Sequence, residues 1–385
     1  MAADPRASAA AALTPPSGSR RRLLVLGAAT ATGLAACHRS ASWRVGLLAP
    51  LTSRAADLGQ GGRNGAILAQ EDRNRAGGIR GRRIELIMQD DAQQIGQAQE
   101  GLQRLIAAGV VAVIGPYTSS MAAAVVPLAQ KAGLLMLAPT VTASDLFEQQ
   151  DSLLLLSRSA RESAADFARE LVRRGQRRVA VAYDLSNRRF TESWLAGFRE
   201  TLAHEGGQIS QATAYESRAE TSFSDVIGSL VGSEPQGLLF LAGAIDVARL
   251  AQRAQRIAPH LPLATPEWAS TEMLLELGGE AVEGLLSMKN YNPEDRTPRY
   301  QVFTDTYRQR FERAPDYAAV ASHDACTVLF DALQRLSGFE SLRTTLLQQG
   351  PWQGLQEPIR FDARGNTHRR AWFVEVRRRQ FVVLP

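Results

Sequence analysis

The sequence predicts an α/β protein of two doubly wound lobes, each a parallel sheet covered by helices on both faces. Three observations predict it. Short apolar runs alternate with amphipathic helical stretches along most of the chain, the pattern of parallel strands joined by crossover helices. The alternation breaks and restarts near Ser157–Arg161 without a long Gly/Ser linker, so two closely joined series are expected. A chain of 385 residues is also too long for one comfortable core.

The first series opens with WRVGLLAP as a strand and GRNGAILAQEDRN as a helix. RRIELIMQD follows as a strand. QIGQAQEGLQRLIAAG is a helix, because Ile95, Ala98, Leu102, Leu105 and Ile106 share one face. VVAVIG is a strand, SSMAAAVVPLAQKAG a helix bent or broken at Pro127, and LLMLAP a strand. The second series runs LLLLS, the helix ESAADFARELVRRG, strand RVAVAYD, helix TESWLAGFRETLAHEGG and strand QISQATAY. It continues with helix FSDVIGSLVG, strand GLLFLAG, helix DVARLAQRAQRI, strand PLATP and helix TEMLLELGG. The C-terminal part differs, with helices around RYQVFTDTYRQRF, HDACTVLFDALQRL and ESLRTTLLQQ. Strands at IRFD and AWFVEVRRRQFVVL close it, separated by the turn signal Ala363-Arg364-Gly365-Asn366.

Ahead of these elements, MAADPRASAAAALTPPSG is Ala/Pro/Ser-rich and reads as disorder. SRRRLLVLGAATATGLAAC, Ser19 to Cys37, has the basic start, apolar middle and small-residue exit of a secretory signal. Its apolar run is too short to span a bilayer, which needs about 20 such residues. Ser19-Arg20-Arg21-Arg22-Leu23-Leu24 resembles a twin-arginine export signal. Leu34-Ala35-Ala36-Cys37 resembles a bacterial lipobox, which implies cleavage before Cys37, lipidation of its sulfur and a short tether over 37–42.

The formal net charge of +5 suggests a nucleic-acid partner at first sight. Residues 1–36 supply much of the excess through Arg6, Arg20, Arg21 and Arg22, against Asp4 alone. The remaining basic residues are scattered, and the runs Arg20–Arg22 and Arg377–Arg379 are short, so no nucleic-acid partner is expected. With Cys37 taken by the lipobox, Cys326 has no disulfide partner. Its place at helical spacing in SHDACTVLFDAL marks it as a buried small apolar residue.

Enzyme chemistry finds little to stand on. His38, His204, His260, His323 and His368 do not pair at metal-ligand spacing, and there is no CxxC, so no metal is expected. A GxxxxGK[ST] phosphate loop and a GxSxG nucleophile elbow are both absent from the sequence. Gly59-Gln60-Gly61-Gly62-Arg63-Asn64-Gly65, with Asp90 ending the next strand, is a near-miss to a dinucleotide fingerprint. Asn64 stands where the fingerprint needs glycine, and the glycines follow their strand too late. They read as close helix–sheet packing and a flexible loop.

The binding candidates sit at predicted strand ends, where open parallel sheets hold ligands. Gly115-Pro116-Tyr117-Thr118-Ser119-Ser120 follows VVAVIG and opens a helix, so unpaired N–H groups and the hydroxyls of Ser119 and Ser120 suit an anion. Thr140-Val141-Thr142 ends LLMLAP on the same rim. Plain N-capping explains the same hydroxyls equally well. On the other series PLATP ends in Glu267-Trp268. A carboxylate there suits an ammonium group, or simply favours the following helix dipole.

These residues together resemble the type I periplasmic binding proteins, specifically the Leu/Ile/Val branch that serves ABC transporters. The likeness covers nearly all of residues 43–385. Its markers are VGLLAPLTSRAADLGQGGRNGAILAQEDRNRAGGIRGRRIELIMQDDA, VVAVIGPYTSS, LLMLAPTVTA, VAVAYD, FSDVIGSL, GEAVEGLL and IRFDARGN.

The resemblance implies a two-lobe clamp of flytrap type with three hinge crossovers, near Ser157–Arg161, Met288–Tyr291 and Gly365–His368. Lobe one would take 43–160 and 290–365, and lobe two 161–289 and 366–385. It implies that Ser119, Thr140 (through its backbone) and Thr142 hold a ligand carboxylate, and that Glu267 holds its ammonium. Glu162 matches a position often acidic, and Phe190 one often tyrosine. Leu58 stands where an aromatic often covers the pocket and Ala244 where a tyrosine often lies. A wider, greasier pocket is therefore expected, with Trp268 as a lining aromatic. Gln93 and Thr118 occupy the places of a cystine found in some relatives. The reading is thus a monomeric solute-binding protein, not an enzyme and without cofactor. It would be lipid-anchored outside the cytoplasm and pass a small amino acid or related carboxylate to an ABC permease. A ligand sensor of the same fold and an exported nucleotide-dependent oxidoreductase are the alternatives.

Overall fold

The computed structural model describes residues 42–148, 152–338 and 340–385. The export and anchor segment, Cys37 included, lies outside the described residues. Residues 42–385 form one compact unit.

The first sheet holds β1 (Trp43–Ala49), β2 (Ile84–Asp90), β3 (Val113–Ile114), β4 (Met136–Ala138) and β5 (Leu153–Leu155). Its order is β2-β1-β3-β4-β5 and every pairing is parallel. The second contains β6 (Arg178–Asp184), β7 (Gln208–Tyr215), β8 (Gly237–Leu241), β9 (Leu263–Ala264) and β10 (Leu286–Lys289). Beside β10 lie β13 (Trp372–Arg377) and β14 (Gln380–Val383), giving the order β14-β13-β10-β9-β8-β6-β7. The first five of these strands are mutually parallel. The β13–β14 hairpin is antiparallel, an exception to the all-parallel expectation. Such hairpins commonly edge a parallel sheet, because no crossover helix is needed to add them.

The chain passes between the sheets three times. It goes from β5 to β6, and from β10 to the helices that pack on the helix Ala56–Arg75 of the first sheet's layer. It then returns from Asn366, which bridges to Leu155, into β13. The third passage is anchored by buried charge. Arg369 donates to Glu357 at 2.7 Å and to Asp324 at 3.0 Å, and Asp324 also accepts from the Leu355 amide at 2.8 Å.

Several local readings change. LLLLS, expected to open the second series, supplies β5 of the first sheet. The helix expected over GRNGAILAQEDRN begins earlier, at Ala56, and runs to Arg75. Its glycines are packing devices rather than a loop. A Cβ on Gly62 would lie 2.0 Å from the Tyr117 ring and one on Gly65 2.1 Å from the Ala319 carbonyl. The helix Tyr317–Arg335 is thereby drawn tightly against it, with buried Cys326 inside. The dinucleotide alternative loses its loop. The helix Ser119–Lys131 is not broken at Pro127, which it contains one turn from its end. β10 was not foreseen, nor was the short pairing of β11 (Trp352–Gln353) with β12 (Pro358–Ile359).

Candidate functional site

The site forms where strand ends of the two sheets face each other. β3 leads through Gly115–Thr118 into the helix Ser119–Lys131, and β4 leads into the loop carrying Thr140 and Thr142. From the other sheet, β9 runs into a single 3-10 turn, Glu267–Ala269. The helix Arg188–His204, which follows β6, contributes Phe190. Leu58, Ser119, Thr140, Thr142, Phe190, Glu267 and Trp268 line one small cavity.

On the first wall the N-capping explanation fails. Thr118 is the N-cap residue, but its side chain makes no capping bond and its buried hydroxyl has no partner among the described residues. Ser119 is bound differently. Its Oγ accepts from the amides of Ala143 at 3.1 Å and Thr142 at 3.3 Å. A hydroxyl has two acceptor sites and one proton. With both acceptor sites used, the Ser119 proton is left to donate, and no described residue takes it. Thr140 spends its own hydroxyl on the Tyr117 carbonyl at 2.6 Å, so its side chain holds the wall together.

On the second wall Glu267 is 2 % exposed, and neither carboxylate oxygen has a hydrogen-bond partner among the described residues. Burial pushes its pKa up to about 7, against the smaller opposing pull of its own backbone amide and of Arg158. An unpartnered buried carboxylate is costly, and a cation brought beside it removes the cost.

Most of the remaining lining is aromatic, but the pocket is not wide. Phe190 and Trp268 meet edge to face with centroids 5.6 Å apart, on the same lining as Leu58. About 10 Å³ of free space remains, roughly what one water molecule needs. The walls are in contact around it. Arg54, from the loop after β1, pairs with Asp246 at 2.7 Å, and Thr271 donates to Asp57 at 2.9 Å. The cleft is closed.

Three sequence candidates lie outside the cavity. The Ser120 hydroxyl accepts from the Arg189 amide at 3.2 Å, and its own amide donates to Asn187 at 3.2 Å, so it joins the walls instead of lining the space. Glu162 closes a capping box with Ser159 at the start of its own helix and faces His368 at 3.4 Å. That satisfies its carboxylate locally and holds its pKa below the usual range, with burial alone opposing. Ala244 is buried at the first turn of the helix Ala244–Ile257 and is not on the cavity lining. Sequence reasoning missed Tyr117, Asn187 and Tyr317, which complete the lining. Tyr117 was within a quoted motif. Asn187, three residues past the end of β6, was findable only by the strand-end rule.

A sequence model described as periplasmic binding protein matches residues 42–380. The chain belongs to the periplasmic binding protein family. Membership carries a place outside the cytoplasm and a solute-binding fold. Among curated members, the Leu/Ile/Val-binding protein BraC3 of Rhizobium johnstonii is 33% identical over 142 residues, 36% of this chain and 39% of that protein. The matched stretch therefore spans well under two thirds of BraC3. The leucine-, isoleucine-, valine-, threonine- and alanine-binding protein of Pseudomonas aeruginosa is 21% identical over 321 residues, covering 83% of this chain and 85% of that one. Among solved structures, the branched-chain amino acid substrate-binding protein LivJ of Streptococcus pneumoniae, in complex with isoleucine, superposes with a TM-score of 0.83. It is 20% identical, and the match covers 89% of this chain and 99% of LivJ. That likeness is one of fold.

Proposed function

We propose that this periplasmic binding protein captures a small α-amino acid in the cleft and delivers it to an ABC-type permease. The observation that carries the reading is Glu267, a buried carboxylate with both oxygens unpartnered among the described residues, in the same cavity as the uncommitted Ser119 proton. One wall asks for a cation and the other for an acceptor. A zwitterion with ammonium and carboxylate on one carbon answers both, and a carboxylic acid without an amine answers only one. The relatives that bind branched-chain and small amino acids support the same ligand class. The space of about 10 Å³ admits no solute while the walls touch, so capture requires an open state, and ligand shifts the population toward the closed one. The two sheets then act as lobes, and the three passages as hinges.

The chain works as a monomer, exported by the twin-arginine route and tethered through a lipidated Cys37. Mass spectrometry of the native N-terminus tests the tether: a diacylated Cys37 is expected, and an intact Met1 refutes it. The ligand reading is tested by titration calorimetry of the protein amino acids into the native chain and into Glu267→Gln. At least one binds the native chain and fails with the variant. If none binds the native chain, the reading is wrong.

A further inference from the structure

A second cavity, of about 390 Å³, lies away from the cleft where the chain leaves β10. Its size is within the range of small-molecule sites. It is built from both sides of that passage. Glu272, Lys289 and Phe381 come from elements attached to the second sheet, and Tyr300, Arg308 and Pro315 from the segment that packs beside the first.

Lys289 is one of two lysines in the chain, and it is only 3 % exposed. Its Nζ donates to the Ser270 carbonyl at 2.7 Å and lies 4.0 Å from the Phe381 ring centroid and 5.3 Å from that of Tyr291. Among the described residues no carboxylate is within ion-pair distance. Glu272 and Asp316 act on it only from further away, and burial lowers its pKa to about 8. Arg308 and Arg379 stand on the same lining and are in no ion pair among the described residues. A cation held nine-tenths out of water, at a cavity with two more cations, is the complement of an anion.

The lining limits which anion. Glu272 and Glu294 are also on it, so the three basic groups exceed the acids by one. A monoanion balances that excess and a dianion does not. Tyr291, Tyr300 and Phe381 supply flat apolar walls. We propose that this cavity is a second ligand site, independent of the cleft, that takes a small aromatic monocarboxylate with its carboxylate on Lys289. The floor of the cavity and the cleft share one loop, since Lys289 holds the Ser270 carbonyl while the Ser270 amide donates to the Glu267 carbonyl at 3.0 Å.

The test titrates sodium benzoate into the native chain, Lys289→Met and Glu267→Gln at pH 7. Benzoate is expected to bind the native chain and Glu267→Gln equally, and at least tenfold more weakly to Lys289→Met. The paired variant Arg308→Ala/Arg379→Ala, which leaves the core intact, should also weaken it, by a smaller factor. That variant decides the matter if Lys289→Met does not fold. No benzoate binding to the native chain overturns the proposal. So does binding that survives in both cavity variants, or that disappears in Glu267→Gln, which would place benzoate in the cleft. None of these results depends on whether an amino acid binds the cleft.

Discussion

Replacing Glu267 with glutamine should make the ligand-free protein more stable and worse at binding. Glutamine keeps the shape of the protonated carboxyl and cannot ionise. In the native chain the Glu267 pKa rises from 4.5 to about 7 on folding, because the charged form is taken out of water. The folded state therefore binds this proton more tightly than the unfolded chain does. Its contribution is favourable below pH 4.5 and is lost as pH rises through about 7. Above that pH the buried charge costs about 3 kcal/mol. Glu267→Gln should match the native chain near pH 4 and exceed its melting temperature by several degrees at pH 8. Binding should move the other way. Only the ionised carboxylate receives an ammonium, so native affinity for the amino acid should fall about tenfold from pH 8 to pH 6. In Glu267→Gln it should be weak and flat across that range. Melting curves from pH 4 to 8 and calorimetric titrations at pH 6 and 8 read both effects. If Glu267→Gln melts below the native chain at pH 8, or binds the amino acid as well, the carboxylate is not an unpaired charge waiting for a cation.

Ser119→Ala should weaken amino-acid binding roughly 10- to 100-fold, the worth of one hydrogen bond to a charged group, as read by calorimetry. It should also cost about 1–3 kcal/mol in urea unfolding, since the amides of Thr142 and Ala143 lose their acceptor. Asp324→Ala leaves the Arg369 guanidinium, whose side chain is 7 % exposed, with Glu357 alone as ionic partner among the described residues. Breaking such a buried pair costs about 3–5 kcal/mol, measurable as a lower urea midpoint. Arg54→Ala removes an ion pair that exists only while the walls touch. Small-angle scattering should show a more expanded ligand-free particle, and an unchanged one would mean that the pair does not hold the cleft shut.

Much of the site was legible because strand ends are. Ser119, Thr140 and Thr142 follow from two short apolar strands, each leading into hydroxyl-bearing turns. Glu267 needed the family resemblance, because an acid at the start of a helix looks the same in sequence whether it faces the dipole or a cavity. Asn187 belongs to a 3-10 turn with no periodicity to reveal it. Glycine misled in the helix Ala56–Arg75. Gly59 and Gly61 read locally as part of a flexible loop ahead of the helix, yet tertiary contact keeps the helix intact through them and requires their missing side chains. The closeness of the pocket walls was also hidden, since the edge-to-face fit of Phe190 on Trp268 joins residues far apart in sequence.

The order in which the strands are threaded also governs how the molecule comes into being. The second sheet acquires β13 and β14 only after the chain has gone back to complete the layer around the first. All five strands of the first sheet lie within residues 43–155, but the second sheet cannot be finished from a growing N-terminal fragment. While residues 372–383 are still within the ribosome, β10 is a bare edge and Phe381 is not yet over Lys289. Vectorial completion is therefore closed to the second sheet. Its long-range pairings must wait for nearly all the polypeptide, which makes folding slow and leaves a long interval for chaperone capture. Full-length chains released from the ribosome should gain protease resistance over residues 178–289 in a late step, whereas nascent chains stalled before residue 372 should remain cleavable there.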